Sequence, residues 1–343
     1  MAKRILTALS GGVDSAAAAL LLQRAGYLCD GATLRLFPGS DEADAAAVAE
    51  KLHMSFYIFD ESEAFRRRVM DTFAAAYCAG LTPNPCLLCN RYLKFGAFLD
   101  RALSMGYDGI ATGHYAQVVF DPSRGIYELH RAAERAKDQT YVLYQLTQHQ
   151  LRHLLLPAGK YCKSDLRAAA EDAGLPNAGK KDSQDICFIP DGDYVRFLRE
   201  YGAVWQGGSF VDKDGHILGQ HRGLPCYTTG QGKGLGIALG RHVYVLSKDA
   251  ASNTVTLGDD KDLYSYHLTA RSVHWIAGEP PAMPCLCTVK TRYSQRECEA
   301  AVTLLSEDRI RVDFAQPQRA ITPGQAVVLY DGDNVLGGGT IEG

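Results

Sequence analysis

The chain is expected to be an α/β protein: an N-terminal parallel sheet covered by helices, followed by two small mainly β domains, the last a β-barrel. Three observations predict this. Strand and helix patterns alternate through the first half, which implies a parallel sheet covered on both faces, with ligands outside the carboxyl ends of its strands. Beyond about Tyr201 the composition turns to Gly, Val and Thr in short alternating runs, as in small all-β modules and barrels. The 343 residues also exceed what one hydrophobic core usually spans.

An apolar run, Ile5 to Leu9, reads as the first strand. It leads directly into Ser-Gly-Gly-Val-Asp-Ser at 10–15, and an Ala/Leu-rich helix follows over 16–22. Such a turn aims several backbone N–H groups and the positive end of a helix at one point, where phosphate oxygens sit well. Gly11 and Gly12 permit the close approach, the hydroxyls of Ser10 and Ser15 add donors, and Asp14 is placed to cap the helix or to help hold a metal. No Lys follows the last Gly, so this is not the P-loop of kinases and GTPases, and the spacing is not that of a dinucleotide fingerprint. Further strands are expected over 31–37, 55–60 and 109–112, the last ending at Gly113. Helices are expected over 41–52, 63–79, 92–105, 148–156 and 164–173. The later strands are expected at 243–246, 254–257, 287–291, 309–314 and 326–330. The domain division that follows is 1–202, 203–269 and 270–343.

Net charge is −3, so no bulk basic character announces nucleic acid, and RNA binding has to come from local patches. Ten cysteines without a secretory signal point to a reducing, cytoplasmic setting. Lys3 and Arg4 precede an apolar stretch, but Gly11, Gly12 and Asp14 interrupt it, so neither a signal segment nor a membrane span is expected.

Thr82-Pro-Asn-Pro-Cys-Leu-Leu-Cys-Asn at 82–90 is the second strong signal. Two prolines stiffen the approach to Cys86, and Cys86 with Cys89 has the C-x-x-C spacing that lets two sulfurs face one metal or redox centre. A third candidate, Cys187, closes a polar run and opens an apolar one. Structural zinc competes for Cys86 and Cys89, yet no second such pair completes the site. Cys29, Cys78, Cys162, Cys226 and Cys298 read as small buried residues. Cys285 and Cys287 share a strand face and read as structural too.

Six segments, 10–15, 82–90, 111–116, 137–141, 182–188 and 227–231, occur in the order seen in tRNA-specific 2-thiouridylases, and the chain resembles that family (MnmA/TrmU) from near residue 4 to at least Tyr293. The first segment resembles the PP-loop of the ATP pyrophosphatase superfamily, whose members cleave ATP between the α and β phosphates on an adenine nucleotide alpha hydrolase-like domain. The resemblance implies that Ala8, Leu9, Ser10, Gly11, Gly12, Val13, Asp14 and Ser15 cradle ATP, with Leu34 and Gly113 beside the adenine and Mg²⁺ on the pyrophosphate. It makes Cys187 the carrier of a persulfide and Cys89 its catalytic partner, closing a disulfide as sulfur leaves. Asn84, Pro85 and Cys86 would lie at the target base, and Lys137, Asp138, Gln139, Arg292 and Tyr293 would contact tRNA. The implied partners are the anticodon arm of Lys, Glu and Gln tRNAs and an upstream sulfur donor, such as a cysteine desulfurase or a sulfur relay protein, without a membrane.

The implied chemistry is coherent. A uridine C2 oxygen leaves poorly, and adenylation turns it into AMP. Sulfur then has to arrive as a good nucleophile, which a persulfide or thiolate is at neutral pH. Unpaired bases of an anticodon loop are cheap to splay out.

The chain also departs from the family. Cys86 stands where Asp is common, and three cysteines (Cys86, Cys89, Cys187) can hold a [4Fe–4S] cluster with one iron open to sulfide. The connection over 37–44 is short, and Gly232 replaces a basic residue after Gly-Gln. A persulfide relay and a cluster-bound sulfide donor therefore both stand as mechanisms. The rivals are another PP-loop adenylating synthetase acting on a small metabolite, which would not need Cys89 with Cys187, and a non-catalytic tRNA-binding module. Asp182 and Asp185 either position the Cys187 loop or solvate it.

Overall fold

Ile5 and Leu6 are buried at the centre of β1 (Arg4–Ala8), the middle strand of a five-stranded sheet. In this computed structural model, which describes residues 2–38, 42–180 and 186–343, β2 (Leu28–Arg35), β3 (Phe56–Asp60) and β4 (Gly109–Ala111) follow. Part of the 37–44 connection, Asp182 and Asp185 lie outside the described residues. A hairpin of β5 (Ala116–Asp121) and β6 (Ile126–Arg131) and a short β7 (Leu154–Leu155) complete this half. The sheet order is β3-β2-β1-β4-β7, with every neighbouring pair parallel. Strand order reverses between β1 and β4, which opens a crevice beyond their carboxyl ends.

The run after β1 forms α1 (Val13–Arg24), in which Ala16 to Ala19 are all fully buried. Their small side chains let a second helix, Lys163–Asp172, come close, and Leu166 joins Ala17 and Ala158 in one cluster. On α2 (Glu42–Lys51), Ala45, Val48 and Ala49 form the buried stripe expected of an amphipathic helix.

Two other helices depart from regular geometry. Residues 62–78 are helical with a π-helical segment at Arg66–Met70, and residues 85–104 are helical with one at Asn90–Ala97. The second starts earlier than the expected 92. Pro85 occupies a first-turn position, where its missing N–H costs nothing, and the Asn84 side chain accepts from the Cys86 N–H at 3.1 Å. The helix expected over 148–156 ends at Arg152, because Leu154 and Leu155 pair with Ile110 and Ala111 at the sheet edge.

The later strands are β8 (Gly208–Val211), β9 (Ile217–His221), β10 (Tyr244–Asp249) and β11 (Thr254–Gly258), arranged β10-β11-β8-β9. Then come β12 (Tyr264–Trp275), β13 (Cys285–Lys290), β14 (Cys298–Ser306), β15 (Arg309–Arg319), β16 (Ala326–Asp331) and β17 (Asn334–Ile341). These six close into an antiparallel barrel through the β12–β17 pairing, around a core that includes Val289, Val302, Ile310 and Val327. β12 runs unbroken across the expected 269/270 division. The β5–β6 hairpin adds to the barrel's sheet, with Asn334 opposite His130. No described helix is long and apolar enough to cross a membrane.

Candidate functional site: an anion cradle and three thiols

The loop between β1 and α1 is organised by its own hydroxyls. The Ser10 N–H donates to Ser15 Oγ at 3.1 Å, Ser15 Oγ donates to the Gly12 carbonyl at 2.9 Å, and the two hydroxyls lie 3.2 Å apart. Gly11 has φ +73°, a conformation glycine adopts without strain, and Asn177 Nδ2 donates to its carbonyl at 3.2 Å. Asn177 Oδ1 is buried and has no hydrogen-bond partner among the described residues. Gly113, just past the end of β4, is pressed against this loop: a Cβ there would lie 2.6 Å from the Asp14 carbonyl carbon and the Ser15 nitrogen. Asp14 neither caps α1 nor stands open to a metal. Its Oδ1 accepts from the Tyr115 hydroxyl at 2.6 Å, and both oxygens accept from Lys163 Nζ at 2.7 Å. The carboxylate is thereby neutralised beside the helix N-terminus, which leaves the site suited to an anion.

The thiols gather at the same rim. Cys86 is exposed on the first turn of its helix, and Cys89 is buried one turn on. Phe65, Val69, Cys89 and Leu93 form a cluster against which Leu34, near the end of β2, and Phe188 both pack. Phe188 sets its ring edge-on to Phe65 and Phe73, each at 5.5 Å, and so holds the neighbouring Cys187 on the wall that buries Cys89. Burial pushes the Cys89 thiol up to about 12, with Lys94 opposing and Cys187 and Cys86 reinforcing. The Cys187 residue is exposed, yet its sulfur is enclosed enough that desolvation raises it too, again against Lys94. All ten cysteines are free. The three sulfurs do not all fall within 4.8 Å of one another, the spacing a single ion would demand; a cluster with separate irons tolerates wider spacing.

His114 Nδ1 lies 2.8 Å from Thr112 Oγ1 and its ring lies 5.4 Å from that of Phe95. Burial and Lys94 keep it well below the ordinary histidine range, so it is neutral.

A cleft of about 650 Å³ between the loop after β6 and the barrel is lined by Asp138 and Tyr293, among others, so the two segments expected to contact tRNA meet there. Their side chains differ in engagement. Asp138 is buried, accepting from the Ala132 N–H at 2.9 Å and from Thr140 Oγ1 at 2.5 Å. Gln139 Oε1 accepts from the Tyr115 N–H at 2.9 Å, and Arg292 donates to the Arg319 and Ala320 carbonyls at 2.7 and 3.1 Å. Lys137 is half-buried and Tyr293 exposed. Asn90 Nδ2 donates to the Val142 carbonyl at 2.9 Å, which ties the Cys89 helix to this loop. Gly232 gives room to the Tyr244 ring, which a Cβ would meet at 2.6 Å. Lys163, Tyr115, Asn177 and Lys94 were not expected as site residues. Lys163, Asn177 and Lys94 stand alone in their segments with no local pattern to mark them; Tyr115 lies in the 111–116 segment, but its contact with Asp14 is not local.

Three family profiles cover nearly the whole chain: tRNA methyl transferase HUP domain over residues 3–191, tRNA methyl transferase PRC-barrel domain over 195–259 and Aminomethyltransferase beta-barrel domain over 265–341. A tRNA-specific 2-thiouridylase MnmA from Acetivibrio thermocellus is 45% identical over 99% of both chains. Its namesake from Carboxydothermus hydrogenoformans is also 45% identical, over 99% of this chain and 98% of its own. The chain belongs to the tRNA-specific 2-thiouridylase family. The profiles carry a methyl transferase name, but the full-length MnmA relatives are named thiouridylases, and the three thiols of this chain agree with the latter. Solved structures align more loosely. A 4-thiouridine synthetase–RNA complex with bound ATP matches at 15% identity and TM-score 0.39, over 58% of this chain and 50% of its own. A U34-tRNA thiolase, NcsA from Methanococcus maripaludis with its [4Fe–4S] cluster, matches at 16% and 0.35, over 58% and 66%.

Proposed function

We propose that the chain catalyses ATP-dependent 2-thiolation of the wobble uridine of tRNA, with Cys187 and Cys89 as the sulfur-handling pair. The observation that carries this is the packing of Leu34, near the end of β2, and of Phe188 against the cluster that buries Cys89, with Cys187 and Cys86 near enough to raise the Cys89 thiol; it supports a site in which distant thiols share the sheet rim with the Ser10–Ser15 turn.

ATP is the first substrate. Residues Ala8 to Ser15 hold its phosphates, and Leu34 and Gly113 face the adenine; Mg²⁺ brought in with the nucleotide would shield the pyrophosphate. The uridine C2 oxygen attacks the α-phosphorus, pyrophosphate leaves, and the base becomes an O-adenylate. The terminal sulfur of a Cys187 persulfide attacks C2 and expels AMP. The Cys89 thiol, protonated at rest by its burial, then attacks the Cys187 sulfur; its proton passes to the departing 2-thiouridine, and a Cys89–Cys187 disulfide forms that a thiol reductant reopens. Asn84 and Pro85 present the helix end at the base. Asp138 and Gln139 brace the loop from which Lys137 reaches RNA, opposite Arg292 and Tyr293. An upstream cysteine desulfurase or relay protein recharges Cys187.

The second reading keeps the reaction and changes the carrier. It is favoured by Cys86, an exposed third thiol whose charge is felt by both Cys89 and Cys187. Cys86, Cys89 and Cys187 would hold a [4Fe–4S] cluster, whose open iron would supply bound sulfide.

The test is Cys187→Ala, with 2-thiouridine quantified by nucleoside mass spectrometry. Loss of thiolation with ATP binding intact supports the reading; a Cys187→Ala protein that still thiolates tRNA at the wild-type rate overturns it.

A further inference from the structure

Resting on the tRNA reading, we infer that Arg68 and Arg91, racked on the ring of Tyr92, form a phosphate-backbone clamp that grips the RNA strand beside the target base. The chain carries a net charge of −3, yet between positions 66 and 97 five basic residues face one acid, Asp71. This stretch encloses Cys86 and Cys89. Its charges are not equally available. Arg66 pairs with Asp71 and Arg67 with Glu63, whereas among the described residues neither Arg68 nor Arg91 has a carboxylate at ion-pair distance. Both are exposed, and their guanidinium carbons lie 5.1 and 5.3 Å from the centre of the Tyr92 ring, itself 36% exposed.

That arrangement has a physical consequence. A guanidinium stacked on an aromatic face loses less conformational freedom on binding than a free side chain, and keeps its N–H fork open to a phosphate. The two arginines come from the two π-helical segments, Arg66–Met70 and Asn90–Ala97, local distortions of a kind frequent at functional sites. Tyr92 follows Cys86 by six residues, within two helical turns. A strand held there would run near the thiol that the proposed function sets at the base. Neither arginine lines the Asp138–Tyr293 cleft, so the clamp would be a second grip on the RNA.

The experiment compares wild type, Arg68→Gln/Arg91→Gln and Arg67→Gln in binding an unmodified anticodon stem-loop RNA across a salt series. Two lost phosphate contacts flatten the slope of log affinity against log salt by about 1.4 in the double variant. KM for tRNA rises severalfold, while kcat at saturating tRNA, ATP affinity and the unfolding midpoint hold. Arg67→Gln, whose guanidinium is already paired, keeps the wild-type slope. A folded double variant with the wild-type slope overturns the clamp alone. A wild-type protein that neither binds nor thiolates the RNA overturns the tRNA reading beneath it.

Discussion

Lys163 closes on both carboxylate oxygens of Asp14 at 2.7 Å, joining the first turn of α1 to a helix that begins 149 residues later. The Asp14 side chain is 32% exposed and that of Lys163 12%. The pair sits at the mouth of the anion cradle, where a bare carboxylate would repel a triphosphate. Lys163→Met should therefore weaken ATP binding by about tenfold, or about 1.4 kcal/mol. It should also lower stability by about 2 kcal/mol, through loss of charge-assisted hydrogen bonds. Adding Asp14→Asn should restore most of the ATP affinity, because it removes the uncompensated charge. Calorimetric titration with a nonhydrolysable ATP analogue reads the first effect and denaturant unfolding the second.

Gly113 offers a steric test of the same cradle. A methyl group there would press to 2.6 Å on the backbone of Asp14 and Ser15, which no rotamer change relieves. Gly113→Ala should displace the start of α1, cost about 1–3 kcal/mol in stability and remove measurable ATP binding. Gly179→Ala is the control, since a Cβ at that position meets nothing within 4 Å and the residue is exposed. It should bind ATP as wild type does.

What the sequence made legible was what short-range pattern encodes. The Ser10–Ser15 turn carries its strand, glycines and helix in one continuous stretch, and Gly113 closes a buried strand, so their meeting at a sheet rim follows from alternation alone. The β5–β6 hairpin is encoded locally, six residues against six across Pro122 to Gly125; what no local pattern records is its docking on β17, some two hundred residues downstream. Leu154 and Leu155 continue a helical pattern but are claimed by the edge of β4, a case of tertiary pairing overriding propensity. Asp14 looked available for a metal because Lys163, which occupies it, is an isolated residue without a motif, and because nothing in the 111–116 segment tells that Tyr115 reaches back to it. Asp138 and Gln139, which the resemblance implies as tRNA contacts, also make internal hydrogen bonds that no local pattern announces.

The thiols should report their burial through pH. Desolvation pushes Cys89 up to about 12 from an ordinary 9.0, so the native state holds a proton that the unfolded chain releases near 9. With the folded value the higher one, this contribution to stability is complete below about 9 and is lost as pH rises toward 12. Wild type should lose stability across that window relative to Cys89→Ala, measured by urea unfolding at several pH values. In native protein, alkylation at pH 8 followed by peptide mass spectrometry should label the exposed Cys86 and leave Cys89 protected. Cys89 labelling should then rise about tenfold per pH unit, as thiolate fraction does below its pKa. Rapid labelling of Cys89 at pH 8 would contradict its burial.

Substituting Cys86 separates the two sulfur carriers. A persulfide relay uses Cys187 and Cys89 and asks of residue 86 only a place beside the base, where the family commonly carries Asp. A cluster needs a third thiolate, and one carboxylate in its place weakens iron binding. On the relay reading, Cys86→Asp keeps tRNA thiolation within a few-fold of wild type when a persulfide donor is supplied, while Cys187→Ala and Cys89→Ala lose it. Anaerobic purification with iron and acid-labile sulfide analysis runs beside the assay. Joint loss of iron, sulfide and thiolation in Cys86→Asp would assign the sulfur to a cluster, and retained thiolation without iron assigns it to the relay.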